Sequence, residues 1–132
     1  MESAHGAVEP FCPYFHHAVE LIGRRWTGAI LRALHAGVTR FTDLTNTVPG
    51  LSDRMLSERL KELEAEGMIE RRVIPETPVR VEYLLTEKGH ALSGVMDAIS
   101  AWATEWHDDA PDDVHGCADE RGAQAAGNHA RG

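Results

Sequence analysis

The sequence predicts a mainly α-helical fold carrying one small β-hairpin. Apolar residues recur at intervals of three and four from Phe15 to Leu63 and again from Leu92 to Trp106, the period of amphipathic helices. Between these stretches the pattern changes. "MIERRVI" and "VRVEYLL" are rich in β-branched and aromatic residues, with partial alternation through Ile69, Arg71, Val73 and Val81, Tyr83, Leu85. The proline-bounded "PETP" separates them and predicts a hairpin tip.

The 132 residues fit one domain. With 42% hydrophobic and 26% charged residues, the chain can bury a core without disulfides or metals. No apolar run approaches the ~18 residues of a membrane span. "MESAHGAVEPF" lacks the basic and then apolar pattern of a secretory signal, so a cytoplasmic protein without a membrane partner is expected. Cys12 and Cys117 lie far apart and belong to no CxxC-type pattern, and a structural disulfide is not expected in that compartment. The formal net charge is -8, and residues 108–132 carry six acids against Arg121 and Arg131, half of the excess. Overall acidity bears on solubility and steering, so the local placement of bases must decide whether nucleic acid is a partner.

Residues 1–11 have no period and read as a flexible arm; residues 12–107 read as the folded domain; residues 108–132 read as an acidic, disordered tail. A first helix follows Cys12, with Pro13 suited to its first turn, Phe15, Val19 and Ile22 as its apolar stripe, and Gly23 as its end. "RWTGAILRALHAG" gives a second helix whose broad apolar face holds Trp26, Ala29, Ile30, Leu31 and Leu34, with Gly37 as the stop. Thr42 is the candidate N-cap of a short helix bearing Phe41, Leu44 and Val48, closed by Pro49-Gly50. Ser52 is the candidate cap of the next, in which Leu56, Leu60 and Leu63 fall within about 60° on the helical wheel. Arg54, Glu58, Lys61 and Ala65 lie opposite, with Ser57 beside them. Gly67 precedes the hairpin, and Thr86 is the candidate cap of one long final helix carrying Leu92, Val95, Met96, Ile99, Trp102 and Trp106.

Two short helices around a Pro-Gly turn, followed by a hairpin, have the order of a winged helix-turn-helix. Such a helix fits the major groove of duplex DNA, where arginine and lysine donate to guanine and serine serves several bases. Arg80 and neighbouring bases such as Arg72 would let the hairpin touch backbone or minor groove, and Arg40 could reach phosphate. The charges alone also fit a solvated helix face, since Arg54–Glu58 and Glu58–Lys61 have the spacing of ordinary intrahelical pairs.

The run "CPYFHHAVELIGRRWTGAILRALHAGVTRFTDLTNTVPGLSDRMLSERLKELEAEGMIERRVIPETPVRVEYLLTEKG" resembles the HxlR-type winged helix-turn-helix transcriptional regulators. The matching features are Cys12-Pro13, Gly23-x-x-Trp26, Arg40-Phe41-x-x-Leu44, Leu51-Ser52-x-x-Met55-Leu56, Glu66-Gly67, "VRVEY" and Leu85-Thr86, in order over about residues 12–107. The resemblance implies a MarR-like fold and a homodimer that binds an inverted-repeat operator in double-stranded DNA, with a leaning toward repression. It implies N- and C-terminal dimerisation helices, here the Phe15, Val19, Ile22 stripe and the stripe from Leu92 through Val95, Met96, Ile99 and Trp102 to Trp106; ordinary core packing is the other reading of those side chains. It also implies that "SDRMLSERLK" enters the major groove, with Ser52, Arg54, Ser57 and Lys61 as contacts. Met55 suits either a thymine methyl or packing, and Glu58 either cytosine or its basic neighbours.

Several members of the family that respond to oxidants or electrophiles use a cysteine at the Cys-Pro position. Cys12 is therefore the candidate sensor, at a helix N-terminus where thiols gain reactivity, with His16 one turn on. A small buried hydrophobe is the alternative reading, and a small-molecule effector without cysteine chemistry is the alternative mechanism. Cys117 would be a resolving thiol only if the tail reached back. Cys12, His16 and His17 have metal-ligating types but poor convergence on one helix, and His90 or His107 would have to complete a site, so neither a metal nor another cofactor is expected. No Gly-rich phosphate loop, GxSxG or HExxH occurs, and an enzyme is not expected. A winged module that binds protein instead of DNA would show affinity nearly independent of salt.

Overall fold

A computed structural model of the chain describes residues 10–107, and the remainder of the arm and the tail with Cys117 lie outside the described residues. The chain divides into two compact units, 1–91 and 92–132. The first contains α1 (Pro13–Ile22), α2 (Thr27–His35), α3 (Phe41–Thr47), α4 (Asp53–Ala65), β1 (Ile69–Ile74), β2 (Arg80–Leu85) and α5 (Glu87–Ala91); the second contains α6 (Ser93–Glu105).

The local signals act mostly where the sequence puts them. Cys12 is the N-cap of α1 and Pro13 its first residue; Gly23 closes it. Ser52 caps α4 through its side chain, its Oγ accepting the Met55 N–H at 3.1 Å. This satisfies one of the donors that a helix start leaves orphaned. Gly67, at φ 78°, follows the C-cap Glu66 and reverses the chain into β1. β1 and β2 pair antiparallel from Ile69↔Leu85 to Ile74↔Arg80. Thr39 and Arg40 run along β2: Tyr83 N–H donates to the Thr39 carbonyl at 2.8 Å, and Arg40 bridges Glu82. The wing is thereby fastened to the start of α3.

The core of the first unit is built from Ile30, Leu31 and Leu34 of α2, Leu44 of α3, Leu56, Leu60 and Leu63 of α4, and Val48, Leu51, Met68 and Ile69 between and after them. His35 Nε2–H donates to the Gly89 carbonyl at 3.0 Å, which fastens α5 to α2. A Cβ at Gly89 would overlap the Met68 carbonyl oxygen, so glycine is required by this close approach.

Four expectations are corrected. Thr42 is not a cap: α3 starts two residues before a Thr42 cap would start it, with Arg40 at the N-cap in extended backbone because it is still engaged with β2. Trp26 does not join the face of α2; it is the N-cap in the left-handed region at φ 77°, a conformation that costs a residue with a side chain roughly 1–2 kcal/mol. Ala29 is exposed and Thr27 buried in its stead. The long final helix is interrupted at Leu92, although its φ and ψ stay helical. Thr86 heads only the short α5, its Oγ1 accepting the Gly89 N–H at 3.2 Å. The strands do not alternate: β1 is buried only at Ile69 and β2 is half-buried throughout, as befits a ribbon that projects beyond the core.

Two substitutions test these local signals by thermal unfolding. Ser52→Ala should lower stability by about 1 kcal/mol through loss of the cap. Gly67→Ala should lower it by roughly 1–2 kcal/mol, since open space surrounds the new methyl and only the backbone conformation opposes it. No loss at either position would refute the assigned cause.

Candidate nucleic-acid interface

With Leu56, Leu60 and Leu63 turned into the core, α4 presents its other side to solvent. Arg54, Glu58 and Lys61 are exposed along that side, at spacings of four and three residues. At 1.5 Å per residue they span about 10 Å, three base-pair steps of B-DNA. Ser52 is exposed at the head of the row, and Met55 and Ser57 are half-buried on its two flanks. Arg54 is 88% exposed and its Nε stands 3.5 Å from Glu58 Oε2. An exposed pair of that kind contributes little to stability and opens readily.

The wing and the start of α3 supply a second set of bases. Arg40 and Arg80 line one hollow of about 400 Å³ with Phe41, Thr42, Val79 and Pro78. Arg40 is exposed there. Arg80 is only half-exposed, because Glu76 accepts from its Nη1 at 3.0 Å and Glu82 stands 3.0 Å from its Nε. That second pair is close but out of line for an N–H···O bond. Arg72 is exposed on β1, 3.5 Å from Glu70. The structure thus brings Arg40 and Arg80 together, keeps Arg54 and Lys61 in one row, and puts Arg72 on the hairpin.

Cys12 is half-buried at the N-cap of α1 and is not disulfide-bonded. The His16 ring lies against Phe11, with centroids 5.3 Å apart. α1 buries none of its residues: Phe15 is 70% exposed and Val19 is exposed, while Ile22 is half-buried. On α6, Val95, Ile99, Trp102 and Trp106 are exposed and Leu92, just before it, is half-buried; Met96 alone is buried. Among the described residues no three His, Cys, Asp or Glu side chains come together as a metal site, and no helix is long and apolar enough to cross a membrane.

Sequence reasoning missed a charged network behind α4. Arg59 is buried at the flank of the leucine face, its Nε–H donating to the Arg25 carbonyl and its Nη1–H to Glu62 Oε2, both at 2.9 Å. Arg24 Nε stands 3.2 Å from Glu62 Oε1. His17 Nε2 is 3.1 Å from both carboxylate oxygens of Glu66, and Lys88 Nζ donates to the Glu66 carbonyl at 2.8 Å. The available signal was Arg59's wheel position, about 60° from Leu56 and therefore at the edge of the apolar arc.

The HxlR-like helix-turn-helix family model matches residues 21–111. Among curated proteins, the chain is 54% identical over 97 residues to YvaP of Bacillus subtilis (strain 168), described as an uncharacterized HTH-type transcriptional regulator; the match covers 74% of this chain and 90% of YvaP. It is 50% identical over 95 residues to the HTH-type transcriptional regulator YodB of the same organism, over 72% of this chain and 85% of YodB. The reduced form of YodB superposes with a TM-score of 0.67 at 46% identity, over 76% of this chain and 99% of that one. Its diamide-treated and quinone-bound forms each give 0.63 at 47% and 43% identity, covering 74% and 73% of this chain and 97% and 100% of theirs. The redox regulator HypR in its reduced form gives 0.67 at 31% identity, over 72% of this chain and 94% of HypR. These relatives are regulators and not enzymes, and their shared fold is the winged helix-turn-helix described above. The chain belongs to the HxlR-like helix-turn-helix family of transcriptional regulators.

Proposed function

We propose that this chain is a homodimeric, sequence-specific DNA-binding repressor whose hold on an inverted-repeat operator is released by modification of Cys12. Residues 12–107 carry both DNA binding and dimerisation, and the protein works in the cytoplasm. The observation that carries the reading is α4, one face of which is fully buried while Arg54, Glu58 and Lys61 are exposed in a row. In this reading α4 enters the major groove, Arg54 donates to a base edge, and Ser52, Ser57 and Lys61 add base or phosphate contacts. Met55 approaches a thymine methyl and Glu58 accepts from cytosine. Arg40, Arg72 and Arg80 meet the backbone on either side.

The dimer is supported by the apolar side chains that α1 and α6 each leave in water. A second copy covers Phe15, Val19 and Ile22 on α1, and Leu92, Val95, Met96, Ile99, Trp102 and Trp106 along the C-terminal stripe, of which Met96 is already buried within one copy. The effector is an oxidant or electrophile. Cys12 lies at a helix N-terminus, and YodB, to which this chain is similar, has been crystallised in diamide-treated and quinone-bound forms. Where the operator overlaps a promoter, bound dimer excludes transcription.

Four outcomes are expected. In fluorescence anisotropy on the upstream intergenic DNA, Arg54→Ala should lose about 1–3 kcal/mol of binding and relax the preference over scrambled DNA. Lys61→Ala should weaken both DNAs alike and lower the slope of log K against log salt by about one. Binding that does not change with salt would instead indicate a protein partner. Diamide should release wild-type protein from its DNA and leave Cys12→Ser bound; a Cys12→Ser protein that still responds would take the sensing away from Cys12 and leave Cys117 as the reacting thiol. Trp102→Glu should shift the protein to monomer in sedimentation equilibrium, and a persistent dimer would remove α6 from the interface.

A further inference from the structure

A helix that reads bases must be fixed in rotation as well as in place. A turn of 10° about its axis moves a group ~6 Å from that axis by about 1 Å. That is enough to undo a hydrogen bond to a base edge. The leucine face of α4 excludes water without setting one rotational angle, because dispersion contacts are not directional. Among the described residues, Arg59 is the one charged side chain that α4 buries.

Arg59 is 8% exposed, and its guanidinium is shared between two acceptors on different elements. One is Glu62 on α4 itself, at 2.9 Å; the other is the Arg25 carbonyl in the linker between α1 and α2, also at 2.9 Å. Arg24, on the same linker, stands 3.2 Å from the other oxygen of Glu62. The linker is held in turn. Trp26 takes the left-handed conformation, the Arg25 guanidinium lies 5.0 Å from the Trp26 ring centroid, and the ring reaches Gly50, where a Cβ would stand 3.3 Å from Cη2. Gly50 is two residues before the Ser52 cap. Residues 24–26 therefore grip α4 through Arg59 near its middle and reach the turn that leads into its start.

We propose that Arg59 is a positioning residue for DNA recognition, fixing the rotation of α4 against the Arg24–Trp26 linker without touching DNA. The proposal rests on the reading of α4 as the helix that enters the groove. Its test uses the full chain, with anisotropy on native upstream DNA and on scrambled DNA across a salt series. Arg59→Met keeps the length of the stem and removes both donors. Discrimination between native and scrambled DNA should fall about tenfold, the value of one good base contact. Affinity for scrambled DNA and the salt slope should stay as in wild type, because no phosphate contact is lost. Arg59→Lys should recover part of the discrimination, since an ammonium can serve one of the two acceptors.

Equal losses on both DNAs with a slope lower by about one would make Arg59 a phosphate contact and overturn the proposal. A folded Arg59→Met protein with unchanged discrimination would overturn it too, since α4 would then be oriented without this grip. Should Arg59→Met not fold, Glu62→Gln removes the charge facing Arg59 with little change of shape. A drop of about threefold in discrimination would support the proposal and no drop would overturn it, on the scale of a charge-assisted hydrogen bond weakened but not lost. Wild type that shows no preference for native DNA would take down the reading of α4 as well, an outcome separable from the others because it needs no variant.

Discussion

Helix α4 holds its place only with Leu56, Leu60 and Leu63 out of water, and that requirement decides which side chains are left to face a partner. Each of these leucines contributes about 1.5–3 kcal/mol when fully buried. The intrahelical charge pairs contribute a few tenths. The apolar term therefore decides which side of the helix turns inward, to within the width of the leucine arc, and the polar row of Arg54, Glu58 and Lys61 faces outward as a consequence. The Ser52 cap at one end and the Gly67 reversal at the other fix where the row begins and where the wing departs. The extended pairing of Thr39 and Arg40 with β2 then brings the wing bases to the side of α3.

Most of this was legible because it is written in local and periodic signals. The Ser52 cap, the Pro13 start, the stops at Gly23 and Gly67, the hairpin and the leucine stripe each depend on a few neighbouring residues. What escaped depends on residues far apart in the chain. Arg59 meets Arg25 from 34 positions away and His17 meets Glu66 from 49, and no pattern along the sequence announces either pair. Trp26 misled because an apolar residue at helical spacing was counted into a helix whose first turn excludes it. Thr42 misled because threonine is a good cap, whereas pairing with the wing had already set the start of α3 at Phe41. In the candidate site, the row on α4 could be read from the wheel, but the half-burial of Arg80 between Glu76 and Glu82 could not.

Helix α1 is attached in an unusual balance. None of its residues is buried, and polar contacts tie it to α4 and the chain after it, through His17 to Glu66 and, just past its end, Arg24 to Glu62. Exposed polar ties of this kind are individually weak and exchange with water. Within a single copy such an element belongs to the low-stability end of a fold, where opening is local. Cys12 stands at its start and the linker that Arg59 grips stands at its end. A chemical change at one end of α1 thus has a short mechanical route to the recognition face, with no need to disturb the leucine core.

The arginines of the candidate interface also carry their own competitors. Arg54 has Glu58, Arg72 has Glu70, and Arg80 has Glu76 and Glu82 within 3.5 Å. Non-specific attraction to DNA comes from uncompensated positive charge and the counterions it displaces. In the proposed reading, carboxylates beside Arg54, Arg72 and Arg80 reduce what those bases gain from random duplex, and a sequence that offers base-edge partners rewards the exchange of a carboxylate for DNA.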